Sequence, residues 1–398
     1  MYEFSMPYGA KDTGGIKMGK HLVFIGAGHA HLTAITNLPR YIDSGGQVTV
    51  ISSGAYHYYS GMGPGMLSGV YAPQEVRFNV KQLTESRGGR FIEDTVSSVD
   101  PEKRVISLKS GKTVDYDVVS FNTGSEIATG PVNASFKNVY KVKPVENLFT
   151  ARCKIKEALE KGPLNIAVIG AGAAGVEMAN NAWRILHDTK GKGKITLISR
   201  GKILHRFPAG VRKIAVKHMK AKGIILEENM PVKKNTKKKF LLEDGREIPF
   251  DFAFVATGTK PSDLFKESGI PTGEDGGLLV NEYLQSPKYP EIFGGGDCIS
   301  FEPRPLDKVG VYAVRENPIL LENLHAALTN GSLQAFNPQK VYLLILNMGD
   351  NTAVFNRKSL TFSGKLAFKL KDHIDRKFMK VFQVSGELAE TVDCRSWK

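Results

Sequence analysis

The sequence predicts an α/β fold made of two related halves, with a small α+β region at the C-terminus. Three observations predict it. An apolar strand, His21 to Ile25, runs straight into Gly26-Ala-Gly28, and a helical pattern follows. The same order returns at Asn165-Ile-Ala-Val-Ile-Gly170-Ala-Gly172-Ala-Ala-Gly175, now with the full Gly-x-Gly-x-x-Gly spacing. Each copy leads into short alternating strands and then a buried strand ending in Thr-Gly, at Thr123-Gly124 and at Thr257-Gly258. A strand, a tight glycine turn and a helix present bare backbone N–H groups at a helix N-terminus, where the dipole favours a diphosphate. One such motif is weak, whereas two copies with their own meanders are an internal repeat of a whole domain. The expected architecture is two Rossmann-like dinucleotide-binding domains of three-layer ββα type.

In chain order, Thr33 to Tyr41 reads as a short helix and Gln47-Val-Thr-Val-Ile51 as the second strand. An acid commonly ends that strand to hold a ribose hydroxyl, and Ser52 and Ser53 stand there instead. A serine can still bond a hydroxyl, without the charge-assisted component. Tyr56-His-Tyr-Tyr-Ser-Gly-Met-Gly-Pro-Gly-Met66 suits a loop lying against a flat ligand, and equally a glycine-rich surface loop packed on its tyrosines. From Arg90 the pattern becomes short strands, Arg90 to Glu93, Thr95 to Val99, Arg104 to Leu108 and Thr113 to Val119, split by turn dipeptides into an antiparallel meander. Val145 to Lys161 reads as an amphipathic helix, and the helix after the second glycine turn runs through Met178 to Leu186. Strands are expected at Lys194 to Ile198, Gly223 to Glu227, Lys239 to Glu243 and Phe252 to Gly258. Ile292-Phe-Gly-Gly-Gly296-Asp297-Cys298 is a short strand ending in a carboxylate, which returns the chain to its first half, with a helix over Val309 to Leu328. Val341 to Asn347 and Thr352 to Phe355 read as paired strands ahead of a basic amphipathic segment, Lys365 to Phe382. The expected division is residues 19–140 with 278–330, residues 141–277, and residues 331–398.

Composition narrows the class. The chain has 398 residues, 41% hydrophobic and 24% charged, which fits two or three globular domains. Apolar runs such as Val341 to Leu346 fall short of the ~20 residues that a membrane span needs. The first residues lack a hydrophobic signal region, so a cytoplasmic or membrane-face location is expected. Residues 1–18 are polar and unpatterned, as in a disordered extension or a start-site artefact. Cys153, Cys298 and Cys394 are far apart, which argues against a structural metal site, a disulfide scaffold and a local redox dithiol. The net charge of +14 is concentrated at Lys190 to Lys239 and at Arg357 to Lys380, the latter with eight Lys or Arg against Asp372 and Asp375. Nucleic acid, an anionic membrane and anionic substrates all fit such charge, but no nucleic-acid module accompanies it, so no nucleic-acid partner is expected.

Taken together, the first glycine turn, Asn122-Thr-Gly124, the turn at Gly170 to Gly175, Ala256-Thr-Gly258 and Gly295-Gly-Asp297 resemble the two-dinucleotide-fold flavoproteins of the pyridine nucleotide-disulfide oxidoreductase family, over roughly residues 19–330. Within it the chain is most similar to the type II NADH dehydrogenase and sulfide:quinone reductase branch. His29-Ala-His31, Tyr56 to Gly61, Gly310-Val-Tyr-Ala-Val-Arg315 and Asp372 to Phe378 resemble the flavoprotein module fused to some selenide, water dikinases. The resemblance implies FAD in the first domain, with Gly26 and Gly28 at its pyrophosphate, Val96 at its adenine and Asp297 at its ribityl or phosphate end. Val309 and Gly310 would set a helix N-terminus near the isoalloxazine, and His29, Ser52, Tyr59, Thr123, Gly124 and Gly296 would complete the site. His31 is left between a bulky substitute beside the pyrophosphate and a flavin-side group.

The resemblance also implies NAD(P)H on Gly170, Gly172 and Gly175, with Thr257 and Gly258 alongside. Glu177 would contact the nicotinamide amide, and Glu177, Lys308 and Tyr312 are the candidate catalytic residues. Arg200, with Lys202 nearby, stands where NAD-specific members carry an acid. It could hold a 2′-phosphate or belong to a solvated basic face, so NADH and NADPH both stay open. No close cysteine pair occurs over Thr33 to Leu38, where disulfide reductases of the family carry one, and the three cysteines do not suit a trisulfide relay. A quinone is the implied acceptor, although Val311 to Arg315 replaces the branch's glutamine-bearing helix motif. In Lys365 to Phe382, Leu366, Leu370, Ile374, Phe378 and Phe382 recur every four residues, opposite Lys369, Lys371, Arg376, Lys377 and Lys380. Such a helix can lie in an anionic leaflet, or its stripe can pack on the protein or form a homodimer interface. The expectation is an FAD-dependent NAD(P)H oxidoreductase reducing a quinone, peripheral on the inner face of the cytoplasmic membrane. The alternatives are a sulfide- or chalcogen-oxidising flavoprotein and a flavoprotein partner of a selenide, water dikinase.

Overall fold

The computed structural model describes residues 19–397, so the expectation for residues 1–18 lies outside the described residues. Leu22, Val23 and Phe24 are fully buried, as a central parallel strand with both faces covered requires. That strand, His21–Ile25, is the middle of a parallel five-stranded sheet in the order Ile292–Gly294, Val118–Phe121, His21–Ile25, Gln47–Ser52, Arg90–Glu93. A second parallel five-stranded sheet runs Val139–Lys141, Phe252–Val255, Leu164–Ile169, Gly193–Ile198, Ile225–Glu227. Each half also carries a three-stranded antiparallel meander, Val96–Asp100 to Thr113–Asp115 in one and Val232–Asn235 to Glu247–Pro249 in the other. The fold is therefore α/β with duplicated parallel sheets, and a two-stranded ribbon, Glu126–Ile127 with Thr259–Lys260, joins the halves.

The duplication extends to the glycine turns. Gly26 has φ +80° and Gly170 φ +100°, in the left-handed range that side chains rarely adopt. A Cβ on Gly26 would lie 2.3 Å from the Asn122 carbonyl oxygen, and one on Gly170 would lie 2.3 Å from that of Ala256. In each half the turn thus presses against the strand that ends in Thr-Gly. Any side chain there would force turn and strand apart.

Several elements differ from expectation. Arg90–Glu93 pairs in parallel with Gln47–Ser52 as a sheet edge and is no part of the meander, because its alternating pattern suits an edge strand as well as a hairpin. The helix expected over Thr33 to Tyr41 is two short ones, Leu32–Thr36 and Leu38–Ile42, since Pro39 lacks the N–H needed to continue the first. Tyr56 to Met66 is not one loop: Tyr56–Tyr58 pairs with Arg77–Asn79, and Gly63–Ser68 is a fully buried helix. The C-terminal strands form a three-stranded sheet, Leu344–Asn347, Ala353–Arg357 and Leu360–Gly364.

The Lys365–Phe382 helix divides its residues differently from the expected stripe. Its buried side carries Ala367, Lys371, Asp375, Met379 and Phe382, whereas Leu366 is 73% exposed and Leu370 and Ile374 are 38% and 39% exposed. The four-residue spacing rotates around the helix, so Phe378 and Phe382 turn inward while the three residues before them turn out. A further correction concerns the cysteines. Cys153 and Cys394 form a disulfide, although 241 residues separate them. The tail beyond the C-terminal helix folds back on both halves: Glu390 pairs with Arg77 of the first, and the Trp397 ring meets Phe149 and its indole N–H donates to Thr150 on the helix Asn147–Leu159 of the second.

Candidate active site

The ends of the first sheet open on a cavity of about 840 Å³. That size falls within the ~300–1,000 Å³ of small-molecule sites. Gly26, Gly28 and His29 from the first turn line it, with Ser52 at the next strand end and Val96 from the meander. Thr123, Gly124, Gly296, Asp297 and Gly310 close the other side. Residues distant in sequence thus converge where parallel strands end, the usual place for a ligand in such sheets.

Several polar groups hold these walls. Asn122 is 5% exposed; its Oδ1 accepts from Ala30 N and its Nδ2 donates to the Gly295 carbonyl, tying the first turn to the Gly-Gly-Asp segment. Asp297 Oδ2 accepts from Lys143 Nζ at 2.7 Å and from Ser125 Oγ at 2.8 Å. The Gly296 N–H donates to Glu316 Oε2. Burial pushes the Glu316 carboxyl up to about 7, against the lowering pull of that N–H. His29 and His57 line the cavity, with His57 Nε2 3.3 Å from His29 Nδ1. Burial, helped by the Lys143 charge, lowers His29 to about 4, so its ring is neutral at physiological pH. His29 Nε2 is buried and has no hydrogen-bond partner.

The structure separates other expected residues from this cavity. His31 is fully buried behind the turn, its Nδ1 2.6 Å from Gly26 O and its Nε2 2.8 Å from Ser120 Oγ. It braces the turn from below and belongs to neither expected position. Tyr59 faces the C-terminal helix, its hydroxyl donating to Asp375 Oδ1 at 3.1 Å. Val309, Lys308 and Tyr312 line a separate water-sized cavity of about 10 Å³. Lys308 pairs there with Asp275 at 2.7 Å, and the Tyr312 hydroxyl reaches the Gln339 carbonyl at 3.4 Å.

Glu177 sits where the second turn's helix meets the C-terminal region. Its Oε1 accepts from Asn347 N at 2.8 Å, and burial raises its carboxyl to about 7, against the opposing charge of Lys371. Lys371 Nζ, itself buried, donates to Asp375 Oδ2 at 2.7 Å and to the Gly61 carbonyl at 2.8 Å. Gly172 has open space where a side chain would stand, while Gly175 is pressed against the Gly170 carbonyl. The Thr257 hydroxyl donates to the Ala128 carbonyl and the Gly258 carbonyl accepts from Ala128 N, just beyond the joining ribbon. Arg200 is exposed just past the strand Gly193–Ile198.

Cys298 is a buried thiol bonded to the carbonyls of Gly295 and Phe121, and burial pushes it up to about 11. Such a thiol is not activated as a nucleophile. Among the described residues no cluster of side chains suits a metal ion. Asn122, Ser125, Lys143, His57 and Glu316 are site residues that sequence reasoning missed. Asn122 stood in the Asn-Thr-Gly motif and His57 in the aromatic run, whereas nothing local marks Lys143 or Glu316.

The chain resembles known proteins over most of its length. A family model described as pyridine nucleotide-disulphide oxidoreductase matches residues 20–323. A type II NADH:quinone oxidoreductase of Staphylococcus aureus is 23% identical, with 92% of this chain and 96% of that protein covered. The sulfide:quinone oxidoreductase of Aquifex aeolicus superposes with a TM-score of 0.75 at 20% identity, covering 92% of each chain. NDH2 of Plasmodium falciparum in complex with NADH superposes with a TM-score of 0.78 at 15% identity, covering 93% of this chain and 98% of the other.

Proposed function

The chain belongs to the pyridine nucleotide-disulphide oxidoreductase family, and from that premise we propose that it is an FAD-dependent NAD(P)H oxidoreductase delivering electrons to a quinone-class acceptor. The observation that carries this reading is the paired architecture: two parallel sheets of matching order, each with a left-handed glycine turn pressed on its Thr-Gly strand, the first opening on the 840 Å³ cavity. The quinone enters through the relatives' names, type II NADH:quinone oxidoreductase and sulfide:quinone oxidoreductase.

The residues present fit FAD. His29 Nε2 is a buried ring nitrogen without a hydrogen-bond partner, in a residue that lines the cavity. In the tautomer in which His57 Nε2 donates to His29 Nδ1, the neutral His29 ring carries its proton on Nε2 and can offer it to a phosphate or ribityl oxygen. FAD, when bound there, supplies a two-electron acceptor that can pass electrons onward. The FAD unit on this reading comprises residues 19–140 and 278–330, with the nucleotide unit at 141–277. Gly26 and Gly28 let the turn's backbone approach the diphosphate, Ser52 and Val96 border the adenosine end, and Asp297, held by Lys143 and Ser125, orients the ribityl end. Gly170, Gly172 and Gly175 receive the pyridine nucleotide. Glu177, with its carboxyl raised to about 7, holds or releases a proton near neutrality beside the nicotinamide end. Lys308 and Tyr312 act through their own cavity as positioning residues for the Gly296–Asp297 segment.

No helix among the described residues is long and apolar enough to cross a membrane. The exposed Leu366, Leu370 and Ile374, flanked by Lys369, Lys377 and Lys380, instead fit peripheral contact with an anionic membrane face. The decisive test of the redox reading uses purified protein. We expect bound FAD, bleaching of its visible absorbance by a reduced nicotinamide nucleotide, and reoxidation by a soluble quinone. Absence of FAD, or a flavin that no nicotinamide nucleotide bleaches, rejects it. Bleaching by sulfide that is lost in Cys298→Ala would favour chalcogen oxidation instead.

A further inference from the structure

The chain beyond the C-terminal helix, residues 383–397, holds one wall of the large cavity from behind. That wall, Tyr56–Tyr58, lines the cavity with all its residues and pairs as a strand with Arg77–Asn79 alone among the described residues. A two-stranded ribbon is marginal by itself, so its order depends on what backs it. The tail supplies that backing. Gln383 Nε2 donates to the Gln74 and Arg77 carbonyls at 2.8 and 3.0 Å. Glu387, 1% exposed, accepts the Asn79 N–H at 2.8 Å, and Glu390 accepts the Tyr56 hydroxyl at 2.9 Å and pairs with Arg77.

Arg77 makes this hold electrostatic. The residue is buried, its guanidinium lies 4.0 Å from the centre of the Tyr56 ring and donates to the Tyr58 hydroxyl at 3.3 Å, and its Nε has no hydrogen-bond partner. Glu390 is its only ion-pair partner among the described residues. Without Glu390 a buried cation would stand uncompensated behind the wall, which would have to open to hydrate it. Beyond Glu390 the tail crosses to the helix Asn147–Leu159, where Cys394 is bonded to Cys153 and Trp397 packs on Phe149. The disulfide thus fixes the far end of the tail, and the helix Lys365–Phe382 fixes its near end. With the bond cut, residues 383–397 become a free C-terminus, which opens from its end inward. Cys394 is exposed and Cys153 half-buried, so the bond is open to attack at Cys394, and exposed disulfides are the labile ones.

We propose that Cys153–Cys394 is a thiol–disulfide exchange site whose reduction by a dithiol unfastens the tail, loosens the Tyr56–Tyr58 wall and speeds the release of bound flavin. In the exchange a thiolate of the dithiol attacks Cys394 Sγ, the S–S bond breaks, and Cys153 leaves as a thiolate that takes up a proton. The second thiol of the reductant then displaces Cys394 from the mixed disulfide, so the dithiol is oxidised to a disulfide and both cysteines end as thiols. The latch needs no cofactor, whereas its effect on flavin rests on the FAD reading above.

Hydrogen–deuterium exchange of the full chain with and without dithiothreitol tests the latch. Thiol titration of the denatured protein should find Cys298 alone before reduction and all three cysteines after it. On reduction, the amides of residues 56–58, 77–79 and 383–397 should exchange at least about tenfold faster, while those of the second sheet stay unchanged. Cys394→Ser should show the fast exchange without dithiothreitol and no further response to it, its unchanged second sheet showing that it is folded. Glu390→Gln should speed exchange at residues 56–58 with the disulfide intact. Flavin-loaded protein should release FAD about tenfold faster once reduced, read by flavin fluorescence. Three titratable thiols after treatment with glutathione disulfide, unchanged exchange at residues 56–58, or FAD release at one rate in both redox states overturns the proposal. If the protein takes up no FAD, the redox reading fails, and the exchange rates alone decide the latch.

Discussion

Burial holds the Glu316 carboxyl at about 7 in the folded chain, well above its ordinary value, while its Oε2 accepts the Gly296 N–H. The folded state therefore binds this proton more tightly than the unfolded chain does. Its stabilising effect is complete below the ordinary glutamate range and is lost as pH rises through about 7. Glu316→Gln keeps an acceptor for Gly296 and removes the titration. Relative to the parent, the variant should gain stability on going from pH 5 to pH 8, by up to about 3 kcal/mol, read as a widening difference in thermal midpoints. A constant difference across that range rules out Glu316 as the titrating group. His31 shows the other face of the same principle. A fully buried imidazole, lowered to about 4 by burial, is a neutral two-ended brace between the first turn and the strand behind it.

At the scale of one element, the C-terminal helix carries two different surfaces. Its inner side is a buried ionic group, Lys371 and Asp375 with the Tyr59 hydroxyl, which joins it to the first half. Breaking such a pair leaves an unpaired buried charge, so this face is structural. The outer side presents Leu366, Leu370 and Ile374 beside exposed basic residues, and it is the side that the proposed membrane contact would use. Cosedimentation with vesicles containing anionic lipid should be weakened about tenfold by Leu370→Asp or Ile374→Asp, since each removes one inserted apolar side chain. Lys377→Glu should weaken it as well, chiefly at low salt. Unaltered retention in all three variants rejects membrane contact through this helix.

On the scale of the whole molecule, the two halves are alike in plan and unlike in continuity. Every strand of the second sheet and its meander lies between Val139 and Val255, so this half draws on one unbroken stretch of chain. The first sheet takes an outer strand, Ile292–Gly294, from beyond the second half, and its cavity needs Asp297 and Gly310 from the same late segment. Residues 137–262 expressed alone should therefore fold with a cooperative thermal transition, whereas residues 19–277 should retain no flavin. A flavin-binding 19–277 fragment, by absorbance after gel filtration, would show that the late segment is dispensable.

Much of this plan was legible in the chain itself. Backbone chemistry is local: a glycine turn between an apolar strand and a helix writes itself into five or six neighbouring residues, and its repetition at Gly26 and Gly170 determined the duplicated α/β architecture. The same locality made Gly296 and Asp297 readable, because three glycines before a carboxylate mark a strand end. What tertiary structure decided depends on distance in space. Lys143 and Glu316 reach the Gly296–Asp297 segment from elements that carry no motif. Cys153 meets Cys394 only because the tail folds back. His31 looked like part of the fingerprint until burial turned it away from the cavity, and the Lys365–Phe382 stripe divided because a four-residue repeat slowly rotates around a helix. Sequence thus determined where the backbone turns, whereas packing decided which side chains face the cavity, since facing is a property of neighbours that no short stretch of chain contains.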